Sequence, residues 1–364
     1  MAQHVSSVHH FTPDSLGARG YRMPAEWELH RATWLGFPCN PNDWPGKFVP
    51  IRWVFAEIMK YIARDEIVRL VVADADHEKR ARMVLEKSHI SLENIEFFRV
   101  KTDRGWMRDC MPNFVTNTQQ PHDMIAAKYH FNGWAKYDNW KLDTDLPRVV
   151  GKKLSWNLHE VSVNNQPFVL EGGSIDVNGS GTVLTTEECL LDPHIQPRNP
   201  HLTKQEIEQG LKDNLGVTNV LWLGKGIAGD DTHGHVDDLC RFVNRSTVVL
   251  VQEKNSADEN YRLLQENKER LQDMRTETGE RIQVIDLPMP APLRFDGMRL
   301  PASYANFYVC NHAVLVPTFN DPNDRVALGI LSELFPTRPV IGIHAVDLVW
   351  GLGTLHCLSH EEPM

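Results

Sequence analysis

No run of about 18 apolar residues occurs in the 364-residue chain, so no membrane-spanning helix is expected. Residues 1–20 are polar, carry His4, His9 and His10, and lack the apolar stretch of a secretory signal. They are expected to form a flexible segment on the surface, and a cytoplasmic location follows as an expectation. A basic excess is also missing. The chain has 38 Lys and Arg against 48 Asp and Glu, a formal net charge of −10, which speaks against nucleic-acid binding and is compatible with a small cationic ligand. None of the six cysteines forms a C-x-x-C pair, so neither a zinc ribbon nor a disulfide framework is expected. No low-complexity linker and no internal repeat can be discerned. Residues 21–364 therefore read as one domain.

What is present is an alternation of strand and helix signals. Arg52 to Asp65 places Val54, Phe55, Ile58, Met59 and Ile62 on one helical face. Ile67 to Val72 predicts a strand, His77 to Ser88 a helix and Ile95 to Val100 the next strand. Phe168 to Thr186 predicts a hairpin turning at Asn178-Gly179-Ser180-Gly181. Thr203 and Glu206 form a capping-box pattern whose helix Gly216 closes. Val220 to Leu223 predicts a strand, Leu239 to Gln252 two strands, Asp258 to Met274 a helix, Ile282 to Asp286 a strand, Val326 to Phe335 a helix and Val340 to Ile343 a strand. The hairpins exclude a purely parallel sheet, so the class is α/β or α+β with mixed strand directions.

Four segments could carry chemistry. Cys357 follows Trp350-Gly351-Leu352-Gly353, whose glycines permit close approach of a ligand; a thiolate there could act as a nucleophile, or the thiol could be buried behind a turn. His235, in His233-Gly234-His235-Val236-Asp237-Asp238, titrates near neutrality and suits acid–base work. An extended backbone would turn His235 and Asp237 to the same side. The same segment suggests a metallohydrolase using His233, His235 and Asp237. Asp109, in Trp106-Met107-Arg108-Asp109, could grip a flat cation with Trp106 against its face, or simply pair with Arg108. Glu171 precedes Gly172-Gly173 and could orient an imidazole, or be an ordinary turn residue.

Taken together, these segments resemble the agmatine deiminase and Porphyromonas-type peptidylarginine deiminase family. The resemblance runs from Met23-Pro24-Ala25-Glu26-Trp27-Glu28, with Trp34, through Trp106-Met107-Arg108-Asp109, Glu171-Gly172-Gly173-Ser174-Ile175 and Leu184-Thr185-Thr186-Glu187-Glu188-Cys189-Leu190. It continues in Gly234-His235-Val236-Asp237, Ala302-Ser303-Tyr304-Ala305-Asn306-Phe307-Tyr308 and His356-Cys357. It implies a pentein-type α/β propeller, five pseudo-repeated strand–helix units around a central site. It also implies hydrolysis of a guanidinium to a ureido group and ammonia, with no metal or organic cofactor. Cys357 would be the nucleophile, His235 the acid–base group and Glu171 its orienting partner. Asp109 and Asp237 would bind the guanidinium, and Trp106 would wall the pocket.

The implied substrate is agmatine, giving N-carbamoylputrescine; peptidyl-arginine or another small guanidine is the alternative. Family habit adds the expectation of a homo-oligomer. Three departures stand out: Leu352 interrupts a usual glycine triplet, Cys110-Met111 replaces serine-glycine, and His233 replaces asparagine. The first two are expected to reshape the pocket. A non-catalytic guanidinium binder, disabled by the altered glycine segment, remains a third reading beside the metallohydrolase.

Overall fold

The computed structural model describes residues 10–117, 119–120 and 123–364 and shows a mixed α/β fold. Its strands follow one recurring order. Two antiparallel strands are followed by a helix and a third strand, parallel to the second. Asn113–Asn117 and Met124–Lys128, helix Lys141–Leu154 and strand Asn157–Glu160 make one such unit. Asp176–Val177 and Thr182–Thr186, helix Lys204–Leu215 and Asn219–Leu223 make the next. Cys240–Phe242 and Thr247–Gln252, helix Glu259–Gln272 and Gln283–Pro288 follow. Tyr308–Val309 and Val314–Thr318, helix Pro322–Leu334 and Val340–His344 complete a fourth. The fifth joins distant parts of the chain. Ser359–Pro363 pairs antiparallel with His30–Gly36, from which helix Phe48–Ile62 leads to the parallel strand Ile67–Val72 and then Ile95–Arg99.

Local chemistry explains these elements. The Thr203 hydroxyl accepts from the Glu206 amide at 3.3 Å while Glu206 Oε2 accepts from the Thr203 amide at 2.7 Å, the reciprocal cap expected from sequence. Gly216 ends that helix at φ 66°, where a Cβ would collide with the Tyr21 carbonyl. Thr247–Gln252 is buried throughout, as a Val-rich strand covered on both faces should be. The Arg52–Asp65 stripe is realised with Phe55, Ile58, Met59 and Ile62 buried, although the helix starts earlier, at Phe48.

Two expectations need correction. The hairpin over 168–186 is shorter than expected. Only Asp176–Val177 and Thr182–Thr186 pair, around a turn in which Asn178 Oδ1 accepts from the amides of Ser180, Gly181 and Thr182 at 2.9–3.1 Å. Upstream, Gly172-Gly173 offers no side chain to a sheet, and Gly172–Ser174 winds into a 3-10 turn instead. The helix expected from Val326 begins at Pro322, because Asp321 and Asp324 form a capping box and Pro322 occupies the first turn.

Residues 1–9 of the N-terminal segment lie outside the described residues. The Thr12 amide and hydroxyl both bond to the Asp213 carboxylate, and Leu16 is buried. Among the described residues no helix is long and apolar enough to cross a membrane.

Candidate active site

A tight turn precedes the first strand of every unit, and these turns carry the candidate residues. The one-turn helix Met107–Cys110 presents Asp109 ahead of Asn113–Asn117. Glu171 caps the 3-10 turn Gly172–Ser174 ahead of Asp176–Val177. His235 caps the 3-10 turn Val236–Asp238, which holds Asp237, ahead of Cys240–Phe242. Asn306 bonds back to Ser303 in the turn before Tyr308–Val309. The one-turn helix Leu355–Leu358 presents Cys357 ahead of Ser359–Pro363. His235 and Asp237 are therefore not neighbours on an extended strand, as expected; the 3-10 turn brings them together, with Nδ1 4.0 Å from Asp237 Oδ1.

Cys357 is only 5 % exposed, yet it forms part of the wall of a narrow pocket, with Trp106, Asp109, Trp134, Asp231 and Leu352 around it. Its Sγ accepts from Asn306 Nδ2 at 3.0 Å and lies 3.5 Å from Asp237 Oδ2. Burial, then the charges of Asp237, Asp238 and Asp109, push the thiol well above its ordinary pKa; the Asn306 hydrogen bond works the other way. Gly353 has no room for a side chain, since a Cβ would lie 2.8 Å from the Trp106 ring and 3.2 Å from Sγ. Leu352 adopts φ 68°, the left-handed region that a glycine would occupy without strain.

The imidazole of His235 is fully enclosed. Its Nε2 lies 3.8 Å from Glu171 Oε2, and neither ring nitrogen has a hydrogen-bond partner among the described residues. Burial alone would lower its pKa, but Asp109, Cys189 and Glu171 outweigh burial and hold it well above the ordinary value. Glu171 is itself held by Arg198 Nε at 2.9 Å. Although burial opposes ionisation, Arg198 lowers the Glu171 pKa to about 2. Gly173 marks how closely the groups converge. A Cβ there would be 2.5 Å from His235 Nδ1 and 3.0 Å from both Asp109 Oδ1 and Asp237 Oδ2.

Asp109 does not pair with Arg108, which instead reaches Glu26 and Glu361 at 3.3 and 2.8 Å. Its Oδ1 accepts from the Gly173 amide at 3.0 Å and its Oδ2 from Trp134 Nε1 at 2.8 Å. Burial, with Asp237 and Glu171 nearby, raises its pKa to about 6 against the opposing pull of His235. Asp237 moves the other way. Burial would raise it, but the hydrogen bond and charge of His356 keep it below the ordinary range. Trp106 stacks on Trp44, with ring centroids 5.4 Å apart, and its indole N–H points to Asp43 Oδ2 at 3.3 Å.

The metallohydrolase ligand set is not brought together. His233 points outward, with Nε2 2.9 Å from Asp192 Oδ2, while His235 turns inward. Among the described residues the close groups are Glu171, Cys189 and His235, and Asp237, Asp238 and Cys357; His233 joins neither. Of the three departures from the family pattern, Leu352 lines the pocket, whereas Cys110 and Met111 are buried away from its lining.

Sequence reasoning missed five residues here. Glu26, Asn306 and His356 lay inside the quoted motifs but had no assigned role. Trp134 and Arg198 had no motif around them, and only the folded contacts to Asp109 and Glu171 single them out.

Comparison with known proteins identifies the family. The family model described as Porphyromonas-type peptidyl-arginine deiminase matches residues 22–363. The agmatine deiminase of Pseudomonas aeruginosa (strain LESB58) is 34% identical over 369 residues, covering 95% of this chain and 96% of that protein. The solved agmatine deiminase of Enterococcus faecalis superposes with a TM-score of 0.86 at 30% identity, over 96% of this chain and 97% of that one. A substrate-bound cysteine-to-serine variant of the C. jejuni agmatine deiminase gives a TM-score of 0.83 at 30% identity, over 94% and 96% of the two chains.

Proposed function

The chain belongs to the Porphyromonas-type peptidyl-arginine deiminase family, and on that premise we propose that it hydrolyses agmatine to N-carbamoylputrescine and ammonia through a covalent intermediate on Cys357. The observation that carries this reading is the convergence on one carboxylate. Cys357 Sγ lies 3.5 Å from one oxygen of Asp237, and the His235 ring lies 4.0 Å from the other.

The guanidinium of agmatine is planar and cationic. Asp109 and Asp237 take its N–H edges in charge-assisted hydrogen bonds, and Trp106 walls the pocket. The bound cation offsets the carboxylates that keep the thiol protonated, so Sγ releases its proton to water leaving the pocket and adds to the central carbon. His235 delivers a proton to the departing nitrogen, the C–N bond breaks, and ammonia leaves a thiouronium on sulfur. Water then gives a proton to His235 and adds to the same carbon. The C–S bond breaks as the adduct's hydroxyl proton passes to water, the ureido product forms and the thiolate is restored. Glu171, anchored by Arg198, orients the ring throughout. Side chains and water suffice for each step.

The far end of agmatine is an ammonium, which calls for a carboxylate. Asp231 supplies one at the pocket wall, where it already accepts from the Tyr137 hydroxyl at 2.6 Å and pairs with the partly exposed Lys136; the lining Arg104 is likewise paired, with Asp43 at 2.6 Å. Because each unit contributes one turn to the site, we also infer that the five units ring it as a pentein propeller. The test is ammonia and ureido formation over agmatine, free arginine and an arginine-containing peptide. Agmatine should turn over fastest, and Cys357→Ala should be inactive with all three. Turnover by Cys357→Ala would end the covalent scheme.

A further inference from the structure

Immediately before the nucleophile lies a second buried imidazole that the scheme above does not use. His356 is 2 % exposed, and both of its ring nitrogens meet carboxylate oxygens at 2.7 Å: Nδ1 faces Asp237 Oδ2 and Nε2 faces Glu26 Oε2. A neutral imidazole supplies one N–H. The second proton belongs either to the ring or to a facing carboxylate, and in both forms the contact with Asp237 is a hydrogen bond.

The far carboxylate is firmly fixed. Glu26 Oε1 accepts from the Val309 amide at 2.7 Å, and its Oε2 accepts from Arg241 and Arg108 at 3.0 and 3.3 Å. The backbone of His356 is pinned as well. Its amide donates to Asn306 Oδ1 at 3.1 Å, and its carbonyl accepts from Arg108 Nε at 3.2 Å.

The consequence falls on Asp237, whose two oxygens are used unequally. Oδ2 is taken by His356 and approached by Cys357 Sγ, whereas Oδ1 is buried without a hydrogen-bond partner among the described residues. An unpaired buried carboxylate oxygen is costly, and a fold retains one where a ligand will satisfy it. We propose that His356 is a positioning residue for substrate recognition: by clamping Asp237 Oδ2 it holds the carboxylate in the rotamer that presents Oδ1 to the guanidinium. This rests on the proposed role of Asp237 in binding substrate.

Two isosteric substitutions separate the halves of the clamp. Asparagine places its amide nitrogen near the position of Nδ1 and keeps a donor toward Asp237. Glutamine places its nitrogen near Nε2 and keeps only the link to Glu26. With agmatine as the probe, His356→Gln should raise KM about tenfold or more, the size of a lost charge-assisted hydrogen bond, while His356→Asn stays within about threefold of wild type. Equal losses, or the reverse ranking, overturn the proposal. Failure of the underlying reading shows separately, as an unchanged KM for agmatine in Asp237→Asn. If either histidine variant does not fold, nitrogen-15 NMR of the histidine-labelled wild-type protein decides. A slowly exchanging proton in the His356–Asp237 contact, lost in Asp237→Ala, supports the clamp, and its absence overturns it.

Discussion

Two buried histidines flank Asp237, and each has an arginine-held glutamate behind it. His235 has Glu171 and Arg198; His356 has Glu26 with Arg108 and Arg241. Their surroundings look alike in composition but differ in distance. The nitrogens of His356 sit 2.7 Å from their carboxylates, whereas those of His235 stand off at 3.8 and 4.0 Å. Their titration diverges too. Burial together with Arg108 and Arg241 drives the pKa of His356 well down, while Asp109, Cys189 and Glu171 overcome burial and lift that of His235. A ring locked at both nitrogens is suited to holding geometry. A ring with slack is suited to passing protons to something that arrives. The difference lies in about an ångström of spacing rather than in residue type.

That contrast can be broken or sharpened by measurement. The largest effect should come from the sulfur beside Asp237: Cys357→Ala should show no ammonia release from agmatine, and residual turnover would detach both histidines from a common reaction. His235→Ala should next lower kcat by about 10²–10⁴-fold, the usual span of general acid–base catalysis. If this loss were no larger than that of His356→Asn, the division between proton carrier and fixture would be wrong. Asp109→Ala should lower kcat/KM by about 10–150-fold, corresponding to about 1.5–3 kcal/mol for one hydrogen bond to a charged group.

The acid limb of the pH profile should follow Asp109. Its pKa in the empty site is raised to about 6, and only the ionised form attracts a cation. Thus kcat/KM should fall as pH drops below about 6, by about tenfold per unit. Asp109→Asn should remove that limb, and an unaltered profile would assign it elsewhere. The smallest effect belongs to Leu352. Replacing it with glycine relieves a left-handed backbone at φ 68° but frees the unfolded chain, so thermal unfolding should shift stability by no more than about 1 kcal/mol.

Legibility in the sequence followed the physics of each element. Ile67–Val72 was readable to the residue because a short apolar run, broken only by Arg69, has few alternatives. The start of Pro322–Leu334 was not, since its first turn carries a polar cap rather than an apolar stripe. The fivefold repetition is in topology alone. Its turns read Met-Arg-Asp-Cys, Gly-Gly-Ser, Val-Asp-Asp and Leu-His-Cys-Leu, sharing a bend and no residue pattern. Cys357, His235, Glu171, Asp109 and Asp237 could be named because family motifs bracket them. Their supports could not. Arg198 acts from a loop without regular pattern, and the importance of His356 depends on Glu26, which is 330 positions away along the chain.

Thiol and imidazole belong to different units, separated by the small hairpin Arg294–Phe295 and Met298–Arg299, whose Phe295 and Met298 are solvent-exposed. Cleaving the polypeptide at that hairpin would place His235 on one fragment and Cys357 on the other. Neither piece would hold the whole of the proposed reaction centre, so ammonia output would become a direct gauge of whether the two halves had found each other again.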